Sequence, residues 1–322
     1  MRSRRIASSS TQAEAWTHRV ALTATAATAV LIVAGGLVTN TGSALAVPDW
    51  PTTFGHNMFL YPWSQMVGGV LYEHGHRLLG VLVGFLTLAL ALILWMGGAR
   101  GSLRGLGIVA LVLVCVQGLL GGLRVILLRD VLAIFHGALA QLVFALLTAL
   151  CVLTSSGWRA AQRPLPVGQA ERLSRFALAV TAIVYGQIIL GTLTTHAGWV
   201  LPHLGGAIVV LVTAMGLTAQ TLAHHSGRPA LVWPARALVG LLVLQAALGV
   251  GAYAMRFTDF QRPEGAAGSL AFPVAHRVTA SLLLGAAVVL VLHSWRLRGL
   301  VGTSRGEVGV PPIHVARDRA AV

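Results

Sequence analysis

Lysine is absent from this 322-residue chain and acids number only nine, so 23 arginines carry a net charge of +14. Charged residues of all kinds make up 10% of the sequence, against roughly 25% in a soluble domain. With 56% hydrophobic residues and a mean hydropathy of +0.79, that scarcity excludes a soluble single-core domain and a disordered chain. Two cysteines are too few for a disulfide scaffold. Cys115 and Cys151 lie inside apolar runs and read as small buried hydrophobes. The arginines sit between apolar blocks, with no basic stripe interleaved with exposed aromatics, so nucleic acid is excluded as a partner. The partner they fit is a lipid bilayer.

What the chain does have is long apolar runs of about 20 residues, the length that crosses a bilayer. Eight are read: Val20–Val38, Gly75–Met96, Gly105–Leu123, Val131–Thr154, Phe176–Thr195, Pro202–Leu222, Ala237–Tyr253 and Phe272–His293. The connections are short and leave no room for a separate soluble domain. Seventeen arginines fall on one side of these spans: Arg2, Arg4, Arg5, Arg19, Arg100, Arg104, Arg159, Arg163, Arg172, Arg175, Arg228, Arg236, Arg296, Arg298, Arg305, Arg317 and Arg319. Four fall on the other, Arg124, Arg129, Arg256 and Arg262. The positive-inside rule then places both termini in the cytoplasm. The start also has the look of a signal peptide, with Ala44-Leu45-Ala46 as a cleavage site, but its apolar run is longer than a usual signal core. Retention as a first span is the expectation.

The linker Ser155–Arg175, with Pro164 and Pro166, divides the chain into two sets of four spans, residues 1–160 and 161–322. The expected fold is therefore all-α: eight transmembrane helices as two tandem four-helix bundles. The two sets echo each other. The first span ends Gly35-Gly36-Leu37-Val38-Thr39 and the fifth ends Gly191-Thr192-Leu193-Thr194-Thr195, and a Gln-x-x-Leu-Gly pattern recurs at Gln117, Gln187 and Gln245. Shared Gly/Ala-rich composition is the competing account of these echoes.

Histidine placement is more informative. Of twelve, His18, His224, His225, His293 and His314 belong to the cytoplasmic side and carry no assigned role, while His56, His74 and His196 lie in outer loops or at span starts. The remaining four, His76, His136, His203 and His276, sit near the outer ends of spans two, four, six and eight. A lone interfacial histidine is usually a satisfied polar residue, but four at one depth, two per set, form a pattern. Paired imidazoles facing each other across a helical bundle are the axial ligand set of a low-spin haem. Zinc would want further protein ligands, and neither cysteine is near. Two iron sites follow, His76 with His136 and His203 with His276. Arg77 and Arg277 follow two of these histidines directly, and Arg124, Arg129, Arg256 and Arg262 lie in the loops above. They are either bidentate contacts for haem propionates or interface anchors. Glu73 precedes His76 by three residues and has no counterpart before His203 or His276. It is either a proton-handling or cation-stabilising group or the ion-pair partner of Arg77.

Several motifs resemble the haem A synthase family. Glu73-His74-Gly75-His76-Arg77 is similar to that family's Glu-x-x-His-Arg motif, and Thr41–Pro51 to its first outer loop. Gln117–Val125 followed by His136–Gln141 resembles its third and fourth spans, and His203 and His276-Arg277 its second histidine pair. The resemblance implies a multi-pass plasma-membrane oxidoreductase that converts a ring methyl of haem O to a formyl. It proceeds by two successive hydroxylations and loss of water from the hydrated aldehyde. It further implies that His76, His136 and Glu73 serve the substrate haem and His203 and His276 a haem b. A haem O synthase and cytochrome oxidase assembly factors are the implied partners. Many family members carry a cysteine pair in the first outer loop; here Val47 and Thr52–Gly55 occupy those places. Two other classes use the same histidines: a non-enzymatic dihaem electron carrier, which has no need of Glu73, and a transporter or haem-handling assembly protein.

Overall fold

A computed structural model describes the backbone of residues 2–160, 162–163, 165–258 and 267–298, with side chains from residue 12 onward except at 167 and 267. Arg262, Arg305, Arg317, Arg319 and His314 lie outside the described residues. All regular structure described is helical: α1 Arg2–Asn40, α2 Gly69–Met96, α3 Gly101–Leu127, α4 Asp130–Thr154, the single turn α5 Ser156–Arg159, α6 Val167–Ala197, α7 Val200–His225, α8 Pro229–Phe257 and α9 Ala267–Arg296. Eight of these are long and apolar enough to cross a membrane. Each expected span falls inside one of them. The helices overrun the apolar windows because headgroup-depth turns tolerate polar residues while still needing their backbone bonds closed. Left-handed residues Leu128 and Gly198 end α3 and α6, and Pro229 opens α8 where its missing N–H is harmless.

Each of α1 to α4 packs on the next and α4 returns to α1, and α6 to α9 repeat that ring. The two rings meet where α1 touches α9, α4 touches α6, and α4 touches α9. Each ring has its own buried apolar cluster. In the first it joins Ala21, Ala24, Leu90, Leu94, Ala110, Val143, Leu147 and Leu150. In the second, Leu173, Val180, Leu217, Leu231, Leu238 and Leu290 are among its members. Both clusters lie toward one end of the helices, the arginine-rich end, where α1, α9 and the end of α5 meet: Arg159 pairs with Glu14, and Arg296 donates to Ala160 O. The opposite end is lined by glycine and histidine rather than leucine.

At that opposite end the α1–α2 connection folds into an ordered loop with two 3₁₀ turns, Met58–Leu60 and Trp63–Gln65. The Asp49 carboxylate accepts hydrogen bonds from the amides of Phe54 and Gly55 and the hydroxyl of Thr52. Burial pushes the Asp49 carboxyl up, but these bonds outweigh it and hold its pKa below the ordinary carboxylate value. His74, expected only to lie in an outer loop or at a span start, is fully buried: its Nδ1 pairs with Thr53 Oγ1 at 3.0 Å and its ring lies 5.3 Å from Tyr61.

Because the folded-state pKa of Asp49 is depressed, its contribution is complete above the unfolded value of about 3.9 and is lost as pH falls through the folded one. The protection factors of the amides in residues 47–56, exchange relative to the intrinsic rate at each pH, are therefore expected to be constant around neutral pH and to fall only in acid below that range. In Asp49→Ala the same amides exchange fast at every pH; equal protection in both proteins would remove Asp49 from the loop's support.

Candidate functional site: two imidazole pairs at one end of the helices

The structure brings together the members of each expected histidine pair. His76 of α2 faces His136 of α4, with ring centres 6.4 Å apart and planes crossed at 70°. His203 of α7 faces His276 of α9 at 6.2 Å and 81°. Two iron–imidazole bonds of about 2.0 Å in line, plus about 1.15 Å from nitrogen to ring centre on each side, give ~6.3 Å. Both gaps thus match one metal atom held by two imidazoles. Among the described residues no group of three or more His, Cys, Asp or Glu side chains converges. The donor set is two imidazoles per centre, too few to close a tetrahedral zinc site and the number a porphyrin iron needs on its axis.

One device recurs four times and sets these gaps. Each ring lies against a glycine of the preceding helix, where an added Cβ would meet the imidazole Cε1. That distance is 3.1 Å at Gly35 under His76, 3.3 Å at Gly121 under His136, 3.2 Å at Gly191 under His203 and 2.9 Å at Gly249 under His276. Any other residue type would push the ring across the gap. Four residues before three of these glycines stand Gln117, Gln187 and Gln245, which accounts for the recurring Gln-x-x-Leu-Gly pattern. Gln117 Nε2 donates to His136 O, and Gln187 Nε2 donates to His203 O and lies 3.0 Å from its Nδ1. His276 Nδ1 is 3.1 Å from Gln245 O, and Gln245 Nε2 lies 3.3 Å from His276 Nε2. The first span has Leu31 at the matching place.

Buried side-chain atoms without a hydrogen-bond partner gather at the same level: His76 Nδ1, His136 Nδ1 and the Oε1 atoms of Gln117, Gln187 and Gln245. Buried polar atoms are rarely left unpaired except where function or an unseen group requires it. Deeper in α4, Gln141 Oε1 is a further such atom that the sequence did not single out.

The charged neighbours divide unevenly. Glu73 is 4% exposed; its Oε1 accepts from Arg77 at 2.8 Å and its Oε2 from the Val47 amide at 2.9 Å. Arg77 also donates to the carbonyls of Val47, Asp49 and Thr52. Four acceptors therefore engage its guanidinium, three of them in the α1–α2 loop, where the sequence suggested a propionate contact. Loop contacts of this kind, made across 25 to 30 residues, leave no periodic trace in a sequence. Trp50 of the same loop lies directly on Gly122 of α3, next to the glycine beneath His136, so the loop crosses the mouth of the first ring. Arg124 stands close enough to bear electrostatically on His136, His76 and His196. Arg277 reaches from α9 into the first ring, with Nη1 3.2 Å from Thr39 Oγ1 and 3.5 Å from the carbonyl of Gly35. It follows the ligand candidate His276 and touches the glycine beneath His76, tying one centre to the other. Arg256 donates to Thr195 O and lies with Arg277 and Arg124 around His196.

Overpacking of about 1–3 kcal/mol from a methyl group under an imidazole is expected to show as lost ligand affinity. Gly249→Ala, the tightest contact, is expected to weaken haem binding at the second centre about tenfold in Kd (~1.4 kcal/mol), read as lower Soret absorbance per protein when haem is limiting. Gly80→Ala, with nothing within 4 Å, is expected to leave it unchanged. Equal Soret absorbance in both would show that the glycines do not set the gap.

Known proteins resemble the chain over most of its length. A heme A synthase of Methylobacterium radiotolerans is 28% identical over 298 residues, 81% of this chain and 78% of that protein. A heme A synthase of Shouchella clausii is 26% identical over 170 residues, 52% of this chain and 55% of that protein. Residues 18–315 match the COX15-CtaA profile, described as cytochrome oxidase assembly protein. The chain belongs to the COX15-CtaA family.

Proposed function

We propose that this chain is a haem A synthase, an oxidoreductase of the plasma membrane that takes haem O as substrate. In this reading residues 1–160 and 161–322 are tandem four-helix bundles with both termini in the cytoplasm, as the arginine distribution favours. The observation that carries the proposal is the asymmetry between two otherwise matched imidazole pairs. Glu73, an acid three residues before His76, has no counterpart before His203 or His276. A bare electron carrier has no use for it.

His76 and His136 would hold the substrate haem, and His203 and His276 a haem b. The bound porphyrin irons would supply the one-electron oxidation chemistry by which the ring methyl is hydroxylated. The protein's part is placement and proton handling. Glycines beneath the rings fix the imidazoles, and Gln117, Gln187 and Gln245 hold their backbones or ring nitrogens. The loop carrying Trp50 covers the first centre and keeps water from it. Glu73 accepts hydrogen bonds at both oxygens, the arrangement of a carboxylate ion. It would stabilise positive charge developing at the methyl carbon or take its proton. Arg124 and Arg277 would meet propionates at the outer face. Arg77, committed to the loop and Glu73, would act by fixing Glu73.

Co-expression with a haem O source, followed by chromatography of extracted haems, tests the assignment. Glu73→Gln keeps the side chain's size and removes the charge, and it retains one of the two accepted hydrogen bonds. It is expected to lower haem A formation by on the order of 100-fold while leaving the haem b spectrum intact. Full haem A formation in Glu73→Gln would reduce Glu73 to a loop anchor. His276→Ala is expected to lose haem b and His76→Ala to retain it; the reverse outcome would exchange the two sites.

A further inference from the structure

The described structure has eight buried, unpartnered side-chain atoms, and two of them lie nowhere near the imidazole pairs. They are His293 Nδ1 and Arg296 Nη1, one turn apart on α9 at the arginine-rich end. His293 is seventeen residues beyond His276 on the same helix, or ~26 Å at about 1.5 Å per residue. That separation removes them from any contact with the first or second centre.

Both groups converge on Trp158 of the single-turn helix α5. The His293 ring lies 5.6 Å from the Trp158 ring, and the Arg296 guanidinium carbon 4.9 Å from its centre. The other end of the guanidinium is fixed, with Nη2 donating to Ala160 O at 2.8 Å. Trp158 itself is held by Ser155, whose hydroxyl accepts from its amide. The arrangement is thus braced on three sides and leaves Nη1 without an acceptor. The nearby acids are engaged elsewhere: Glu14 pairs with Arg159, and Glu171 with Arg175 and Arg298. His18 is turned to Cys151 O. Among the described residues, Arg296 has no carboxylate partner.

A guanidinium and an imidazole one turn apart, both against Trp158 and each with an unpartnered nitrogen, suit an oxyanion when the imidazole proton sits on Nδ1. The cluster sits at the end of a membrane span beside a tryptophan, the depth at which lipid phosphates lie. Basic pockets between spans on the arginine-rich side are where anionic headgroups dock. We infer that Trp158, His293 and Arg296 form a headgroup site for an anionic phospholipid, its phosphate oxygen accepting from His293 Nδ1–H and Arg296 Nη1. The uncompensated arginine charge selects a lipid with net negative charge over a zwitterionic one. Occupancy ties α5 to the end of α9, and hence the linker between the two rings to the last helix.

The test uses the full-length protein, purified and delipidated in detergent. Thermal unfolding is followed as short-chain phosphatidylglycerol, short-chain phosphatidylcholine or inorganic phosphate is added, and native mass spectrometry counts retained lipid. Phosphatidylglycerol is expected to raise the midpoint and remain bound in one copy, with phosphatidylcholine and phosphate without effect. Arg296→Gln and His293→Ala are each expected to weaken retention about tenfold, with the Soret spectrum of bound haem unchanged. Equal stabilisation by phosphatidylcholine would overturn the charge selection. A response to inorganic phosphate alone would make this a soluble-anion site, and no response to any of the three would mean that water fills it. Should the variants fail to fold, the wild-type comparison of the two lipids still decides. The Soret readout is independent of the lipid readout, so failure here leaves the haem A synthase reading standing, and the converse.

Discussion

The spacing of two imidazoles across a helical ring is the constraint on which the rest of the molecule depends. It must be near 6.3 Å for a single metal atom to be shared, and it is 6.4 Å and 6.2 Å in the two rings. Side-chain rotamers alone do not hold a histidine to that tolerance. Here the preceding helix does so, by presenting bare backbone at Gly35, Gly121, Gly191 and Gly249. The glycines weaken their helices locally, and in a membrane that weakness is tolerable because the backbone bonds stay closed within each helix.

The rest of the architecture follows from keeping that end open. Leucine and alanine clusters fill the arginine-rich end of both rings, so packing energy is gained where no ligand has to fit. The opposite end carries the four imidazoles with the glycines and glutamines against them. The two rings then part company. The first is roofed by a loop clamped through Arg77, Glu73 and Asp49, while in the second α6 passes to α7 through little more than Gly198 and Trp199. A covered centre with an acid beside it and a barer centre without one are suited to different tasks on the same scaffold. Arg277, bonded to Thr39 and to the carbonyl of Gly35, is where the two centres touch.

Much of this was legible in the chain. Long apolar runs and the arginine distribution give the eight helices, because hydropathy is summed over some twenty residues and survives local exceptions. The four histidines were legible because imidazoles at one depth in alternate spans are improbable without a shared task. The Gln-x-x-Leu-Gly pattern was visible as a repeat, but its purpose needed the neighbouring helix: nothing in Gly249 announces that His276 rests on it. The loop was the least legible part. The sequence places His74 only in an outer loop or at a span start; its burial against Thr53 and Tyr61 needs the folded loop. Arg77 looked like an anion contact, yet its donors go to backbone carbonyls more than twenty residues earlier. The loop is braced by hydrogen bonds between residues far apart in the chain, and such bonds carry no sequence signature.

The most direct test is electron paramagnetic resonance of the oxidised, haem-loaded protein. Imidazole planes crossed at 70° and 81° predict highly anisotropic low-spin signals from each occupied centre. A rhombic low-spin spectrum of parallel imidazoles, or a high-spin signal showing that one axial ligand is missing, would contradict the account.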